Sequence, residues 1–159
     1  MIKGLHHNAY RCRDSEETRK FYEDFLGLPL ASSLAITTTK TGDAANLLHT
    51  FYEMDDGSYL AFFEAPDRPF AFKQQHDFDL HIALEVDQGV LEEMLAKGRA
   101  QGIESRGVAD HGFIHSIYFR DPNGYVIELT ARTAEDHEDL DPTRARKVLN
   151  DWQAAKTPT

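Results

Sequence analysis

With 159 residues the chain has room for one domain with a real core, and 41% apolar against 28% charged residues is ordinary for a globular protein. A net charge of -10 argues against non-specific binding to nucleic acid or to an anionic membrane. The single cysteine, Cys12, excludes an internal disulfide; the N-terminus MIKGLHHNAYRCRD has no apolar signal region, and no run approaches the ~20 apolar residues of a membrane span. The expected setting is a reducing cytoplasm.

Residues 4–13 (GLHHNAYRCR) read as a strand, although a polar one. Asp14 suits a helix N-cap, and Glu17 three residues on gives a capping-box pattern. The helix over 15–26 places Thr18, Phe21, Tyr22 and Phe25 along one side, and Gly27 ends it. Residues 29–39 read as a second strand, 40–45 as a polar loop, 48–54 as a third strand, Asp55-Asp56-Gly57 as a turn and 58–64 as a fourth strand. The first module, about 4–65, is thus β-α-β-β-β.

After a connector with two prolines (65–78) the order repeats over about 79–132. Residues 79–87 read as a strand. A helix follows over 88–101, with Val90, Leu91, Met94 and Leu95 as its apolar stripe, capped by Gly102. A short strand at 105–108 leads into the hairpin HSIYFR-DPNG-YVIELT, whose turn has Pro to preset φ and Gly to supply a positive φ. HNAYRC parallels HIALEV, and DDGSYLAFFE parallels DPNGYVIEL. This internal repeat predicts an α+β fold: two paired βαβββ modules with a helix on the outer face of each small sheet, the inner faces meeting or curving around a shared cleft. The tail 133–159 begins as an acidic linker. Asp141 and Pro142 then suit the N-cap and first position of a last helix, with Ala145, Val148, Leu149 and Trp152 at helical spacing, to pack on the domain or on a second subunit.

Glu128 sits within an otherwise apolar strand, where an unpaired carboxylate costs several kcal/mol and calls for a hydrogen-bonded partner, a cation or a metal. His6 and His7 lie in the opening strand of module one, and His81 in that of module two. Two imidazoles and a carboxylate form a facial triad. It suits Fe(II), and Mn(II) or Zn(II) at the same geometry, with positions left for substrate and water. Strand alternation lets only one of His6 and His7 point inward.

On GLHHNAYRCRDSEETRKFYEDFLGL, DLHIALEVD and IYFRDPNGYVIEL, the chain resembles the vicinal oxygen chelate superfamily over roughly residues 3–131. That superfamily includes glyoxalases, type I extradiol dioxygenases, fosfomycin-modifying thiol transferases and bleomycin-resistance proteins. The resemblance implies a metal cleft with His7, His81 and Glu128 as ligands; His7 is favoured over His6 by the form GL-x-H.

The extradiol subgroup is nearest by motif: His111, five residues, Ile117-Tyr118, then Asp121-Pro122-Asn123-Gly124 and Glu128. The chain departs from that pattern at Ala109, where Gly, Asn, Thr, Ile or Val is expected, and in having two modules rather than four. The resemblance implies an Fe(II)-dependent dioxygenase, in a homodimer, that opens a small catechol-like aromatic ring with O2. His111 or His115 would be its acid/base and Tyr118 a hydrogen bond to a substrate oxygen. The alternatives are a non-oxidative isomerase, lyase or thiol transferase, and a metal-free binding protein of the bleomycin-resistance type.

Other residues read more plainly. Cys12 is expected in the core, and His49, His76 and His137 at the surface. Glu64, a candidate fourth ligand, stands seven residues after Gly57, where Glu128 stands four after Gly124, so it is expected to face the other way.

Overall fold

A computed structural model describes residues 1–133 and 141–156. Module one comprises β1 (Tyr10–Cys12), α1 (Ser15–Arg19), β2 (Leu30–Thr38), β3 (Ala44–Glu53) and β4 (Tyr59–Glu64); α1 continues as a π-helical stretch over Lys20–Phe25. Module two comprises β5 (His81–Glu85), α2 (Gln88–Ala100), β6 (Ser105–Asp110), β7 (Ile114–Arg120) and β8 (Val126–Arg132). Each module forms one four-stranded mixed sheet, in the orders β1-β4-β3-β2 and β5-β8-β7-β6, with the opening strand parallel to the closing one. The repeat read from the sequence is therefore a repeat of topology.

Local chemistry sets the boundaries. Asp14 caps α1 by accepting from the Glu17 backbone N–H at 2.8 Å. The Glu17 carboxylate turns to Arg13 instead of closing the capping box. The expected first strand, 4–13, is regular only over Tyr10–Cys12, with an isolated bridge from His7 to Tyr59. In turn, β3 begins at Ala44, inside the stretch expected to be loop, because the hairpin with β2 runs on to a Thr38–Ala44 pair.

The helix-side faces of both sheets share one core. Tyr22, Phe25, Tyr52 and Phe62 from module one pack with Leu91, Ile117, Phe119 and Ile127 from module two, and Cys12 lies among them. The Phe25 and Phe119 rings meet edge to face at 5.1 Å. The β7–β8 turn is the fastening. Asp121 Oδ1 accepts from the backbone N–H groups of Asn123 (2.9 Å) and Tyr125 (2.8 Å), and Tyr22 OH donates to Asp121 Oδ2 at 3.0 Å. Asn123 Oδ1 accepts from Arg13 N–H at 2.8 Å, and its amide donates to Thr18 Oγ1 at 3.2 Å. Burial pushes the Asp121 carboxyl above the usual carboxylate range, partly offset by these bonds. Gly124 adopts φ +97°, and a Cβ there would come within 2.2 Å of the Lys73 carbonyl, so the connector presses directly on the turn.

The last helix, α3 (Pro142–Ala155), has the expected N-cap, Asp141 accepting from Thr143 N–H at 2.8 Å. None of its residues is buried, and Val148, Leu149 and Trp152 are exposed. No helix among the described residues is long and apolar enough to cross a membrane.

Candidate metal and substrate site

With the helix sides used for the core, the second faces are left for a site: Phe51, Tyr59 and Phe63 lie beside His7 in module one, and polar residues dominate in module two. In module two the register aligns Ala83, Glu128, Tyr118 and Arg106 in one row across β5, β8, β7 and β6. His81 is two residues before Ala83 and shares this face. Its Nε2 lies 3.2 Å from Glu128 Oε2. Tyr118 OH donates to Glu128 Oε1 at 3.2 Å, since an ionised carboxylate only accepts. His111 Nε2 lies 3.0 Å from the same phenol oxygen, whose proton is already given to Glu128, so the imidazole donates. Burial, then the neighbouring Glu128 charge and its hydrogen bond, raise the Tyr118 pKa and keep that proton in place.

The tautomer of His81 follows from its other nitrogen. Nδ1 is 2.6 Å from the Asp77 carbonyl oxygen, which can only accept, so Nδ1 carries a hydrogen. With Nδ1 so committed, Nε2 is the nitrogen turned toward a carboxylate that is almost wholly buried, its side chain 8% exposed. Two electron-rich groups at this distance call for a cation between them, a proton or a metal ion. The donor set fits a divalent metal: imidazole nitrogen and carboxylate oxygen, each oriented by a further hydrogen bond.

His7 is on module one's second face. It bridges to Tyr59, packs 5.6 Å from the Phe51 ring, and its Nδ1 is 2.8 Å from His6 Nδ1. Among the described residues no three His, Cys, Asp or Glu side chains gather closely enough to hold a metal, so one chain does not bring His7 to His81 and Glu128. His115 alternates to the helix side of β7, with Nδ1 3.0 Å from Gln88 Nε2 and Nε2 3.7 Å from Asp110, away from the Glu128 cluster. Glu64 also faces the helix side, where it accepts from Ser15 N–H at the start of α1 at 2.7 Å. His49 is a correction to its expected surface position: it is buried, stacked on Phe63 at 3.6 Å, with Nδ1 2.9 Å from the Phe62 carbonyl. Its place on the second face beside aromatic residues is what encloses it. His76 is exposed, and His137 lies outside the described residues.

Two site residues escaped the sequence reading. Arg106 lies with its guanidinium carbon 4.6 Å from the Tyr118 ring centre and pairs with the Asp77 carboxylate. Parity along β6 opposite Tyr118 was the available signal for Arg106. Asp77 sits in the irregular connector, where no periodicity marks it.

The model of the Glyoxalase/Bleomycin resistance protein/Dioxygenase superfamily matches residues 4–129. Among solved structures, the fosfomycin resistance protein FosX from Listeria monocytogenes, complexed with Mn(II) and sulfate, is similar with a TM-score of 0.64 and 22% identity, over 86% of this chain and 98% of that one. A glyoxylase/bleomycin resistance protein/dioxygenase domain from a Frankia species gives a TM-score of 0.68 at 14% identity, over 84% and 100%. A glyoxalase family protein from Enterococcus faecalis gives 0.61 at 24%, over 81% and 98%. At these identities the structures speak to the fold, and the family match speaks to descent: the chain belongs to the glyoxalase, bleomycin resistance protein and dioxygenase superfamily.

Proposed function

We propose that the chain is a divalent-metal-dependent enzyme acting on a small substrate with two neighbouring oxygens. His81 and Glu128 are two of its ligands, and His7 of a second copy is the third. The observation that carries this reading is the 3.2 Å approach of His81 Nε2, on a ring whose Nδ1 is committed to the Asp77 carbonyl, to the buried Glu128 carboxylate. The same reading takes the enzyme as a homodimer, because His7 lies on the face of the other module and one chain gathers too few ligands among its described residues.

When bound, the metal supplies Lewis-acid charge that lowers the pKa of a coordinated hydroxyl or polarises a coordinated oxygen. Tyr118 holds a proton within reach of an oxygen beside Glu128, and His111 stands behind it as the group that replenishes or removes that proton. Phe51, Tyr59 and Phe63 form an aromatic wall on the module-one face that carries His7.

For the reaction itself we favour a non-oxidative addition or isomerisation, because the chain shares its two-module extent with the FosX structures, covering 98% of the Mn(II) complex. Ring opening with O2 is the second reading, favoured by the contact between His111 and Tyr118, the two polar residues of the extradiol pattern that precede its turn.

Elemental analysis of protein purified without chelator, on wild type, His81→Ala and Glu128→Ala, tests the site: metal in wild type and loss in both variants is expected. Metal in neither wild type nor reconstituted protein overturns the proposal. Oxygen uptake by Fe(II)- and Mn(II)-loaded protein with a catechol panel separates the reactions. No uptake is expected, and uptake with a yellow ring-fission product selects the second reading.

A further inference from the structure

We propose that Arg106 anchors an oxyanion, a carboxylate or phosphonate, on the substrate of the His81–Glu128 site, and that the Asp77 carboxylate is the group this oxyanion displaces. The inference rests on the metal-chelate reading and deepens it by naming the substrate class. Arg106 is in register with Tyr118 and Glu128, so its side chain rises from the same face of the sheet. Its guanidinium lies over the Tyr118 ring, a contact that fixes the plane of the fork while leaving its edge for a bidentate partner.

The present partner is replaceable. The Arg106 side chain is 62% exposed, and ion pairs this open are held weakly. Asp77 also has two separate jobs. Its carbonyl oxygen orients His81, whereas its carboxylate holds Arg106, so the carboxylate can leave without releasing the imidazole. Arg120 shares a hollow with Asp77, Arg106 and Tyr118 but is committed to the fold, donating to the Gly124 carbonyl at 2.8 Å and to Glu104 at 3.2 Å. On a chain of net charge -10, a cation on the face that carries Glu128, one strand beyond Tyr118, gives an anionic substrate a favourable contact that the bulk of the protein denies it.

The first test needs no metal. The Arg106 Nε–H resonance, assigned by its loss in Arg106→Lys, is followed while benzoate or methylphosphonate is added. A saturable shift is expected, reached at several-fold lower anion concentration in Asp77→Asn. No movement with either anion up to ~50 mM, well beyond the millimolar range of weak contacts, overturns the inference.

The second test uses Mn(II)-loaded protein and matched pairs: a dihydroxybenzoate against catechol, and a dihydroxypropylphosphonate against propanediol. Wild type is expected to bind the anionic member of at least one pair about tenfold more tightly, the equivalent of one charge-assisted contact, and Arg106→Gln to lose that preference. The pair that shows it distinguishes carboxylate from phosphonate. Equal binding within both pairs, or a preference that survives Arg106→Gln, overturns the inference and leaves the metal reading standing. Failure of both Mn(II) and Fe(II) to load overturns the metal reading, and the first test still decides Arg106.

Discussion

Ala61 and Glu128 occupy the same register position in the two modules. Each lies two residues beyond the strand partner of its module's opening histidine, Tyr59 for His7 and Val126 for His81. Each is also paired with an aromatic residue, Phe51 or Tyr118. The repeat has therefore kept the histidine twice and the carboxylate once. A ligand set of two histidines and one glutamate then needs one face of each kind, and a two-fold dimer supplies it twice. Mixing His7→Ala with Glu128→Ala subunits tests this. Each variant alone should hold little metal. After random reassortment about half of the dimers are mixed and each has one intact site, so metal content should return to about a quarter of wild type. No recovery would place all the ligands within one chain.

Metal binding should register as stability. A ligand at 100 times its Kd that binds only the folded state adds about 2.7 kcal/mol, which for a protein of this size raises Tm by roughly 5–10 °C. Mn(II) is expected to produce a rise of that order in wild type, chelator to reverse it, and Glu128→Ala to show neither effect in a thermal melt.

The fold was legible because its signals are local. The Asp14 cap, the Phe21/Tyr22/Phe25 stripe and the Asp121–Gly124 turn each dictate their own geometry, and the repeat ordered them. The pair His81 and Glu128 was legible too, because both are polar intrusions into apolar strands. Other features depended on what meets what in space. His115 was read with His111 as a candidate acid/base for its imidazole, yet strand alternation turns it to the helix side. His49 was read as surface because nothing in LLHTFY reveals that Phe63 covers it. Arg106 and Asp77 are remote in sequence and meet only because the connector crosses the sheet beside Tyr118.

Tyr118 and His111 should act through the proton and not through the fold. Tyr118→Phe removes the hydroxyl from an intermediate-exposure position and keeps the ring under Arg106. We expect metal content and Tm close to wild type, with turnover down by about 10²-fold, the lower range for loss of a positioned proton donor. His111→Gln should reduce turnover less, since Tyr118 keeps its own proton. Unchanged turnover in Tyr118→Phe would remove the phenol from the chemistry.

Four of the six tyrosines have raised pKa values: burial pushes Tyr22 far up, Tyr52 and Tyr125 to about 12, and Tyr118 up with help from Glu128. For a group raised in the folded state, the stabilising contribution is complete below the unfolded pKa near 10 and is lost as pH rises through the folded value. Stability should therefore fall between about pH 10 and 12. Absorbance titration of phenolate should show a delayed, partly cooperative phase coincident with unfolding. Tyr22→Phe, which removes the most strongly shifted phenol, should shallow the fall. A single titration at the free-tyrosine value in folded protein would contradict this burial.

Asn123 should be the costliest polar truncation outside the site. It is fully buried and joins the modules, accepting from Arg13 N–H while donating to Thr18 and to Asp121 Oδ2. Asn123→Ala leaves Arg13 N–H without its acceptor and the Asp121 carboxylate with one donor fewer, for a loss of about 2–3 kcal/mol in urea unfolding. Asn123→Asp keeps the acceptor for Arg13 but sets a second carboxylate against Asp121, whose own carboxyl is already raised by burial. Its loss should exceed that of Asn123→Ala at neutral pH and shrink as pH falls, because protonating one member of the pair relieves the repulsion and restores a donor. If Asn123→Asp instead matched wild type at neutral pH, the turn would not be the buried junction between modules that its hydrogen bonds describe.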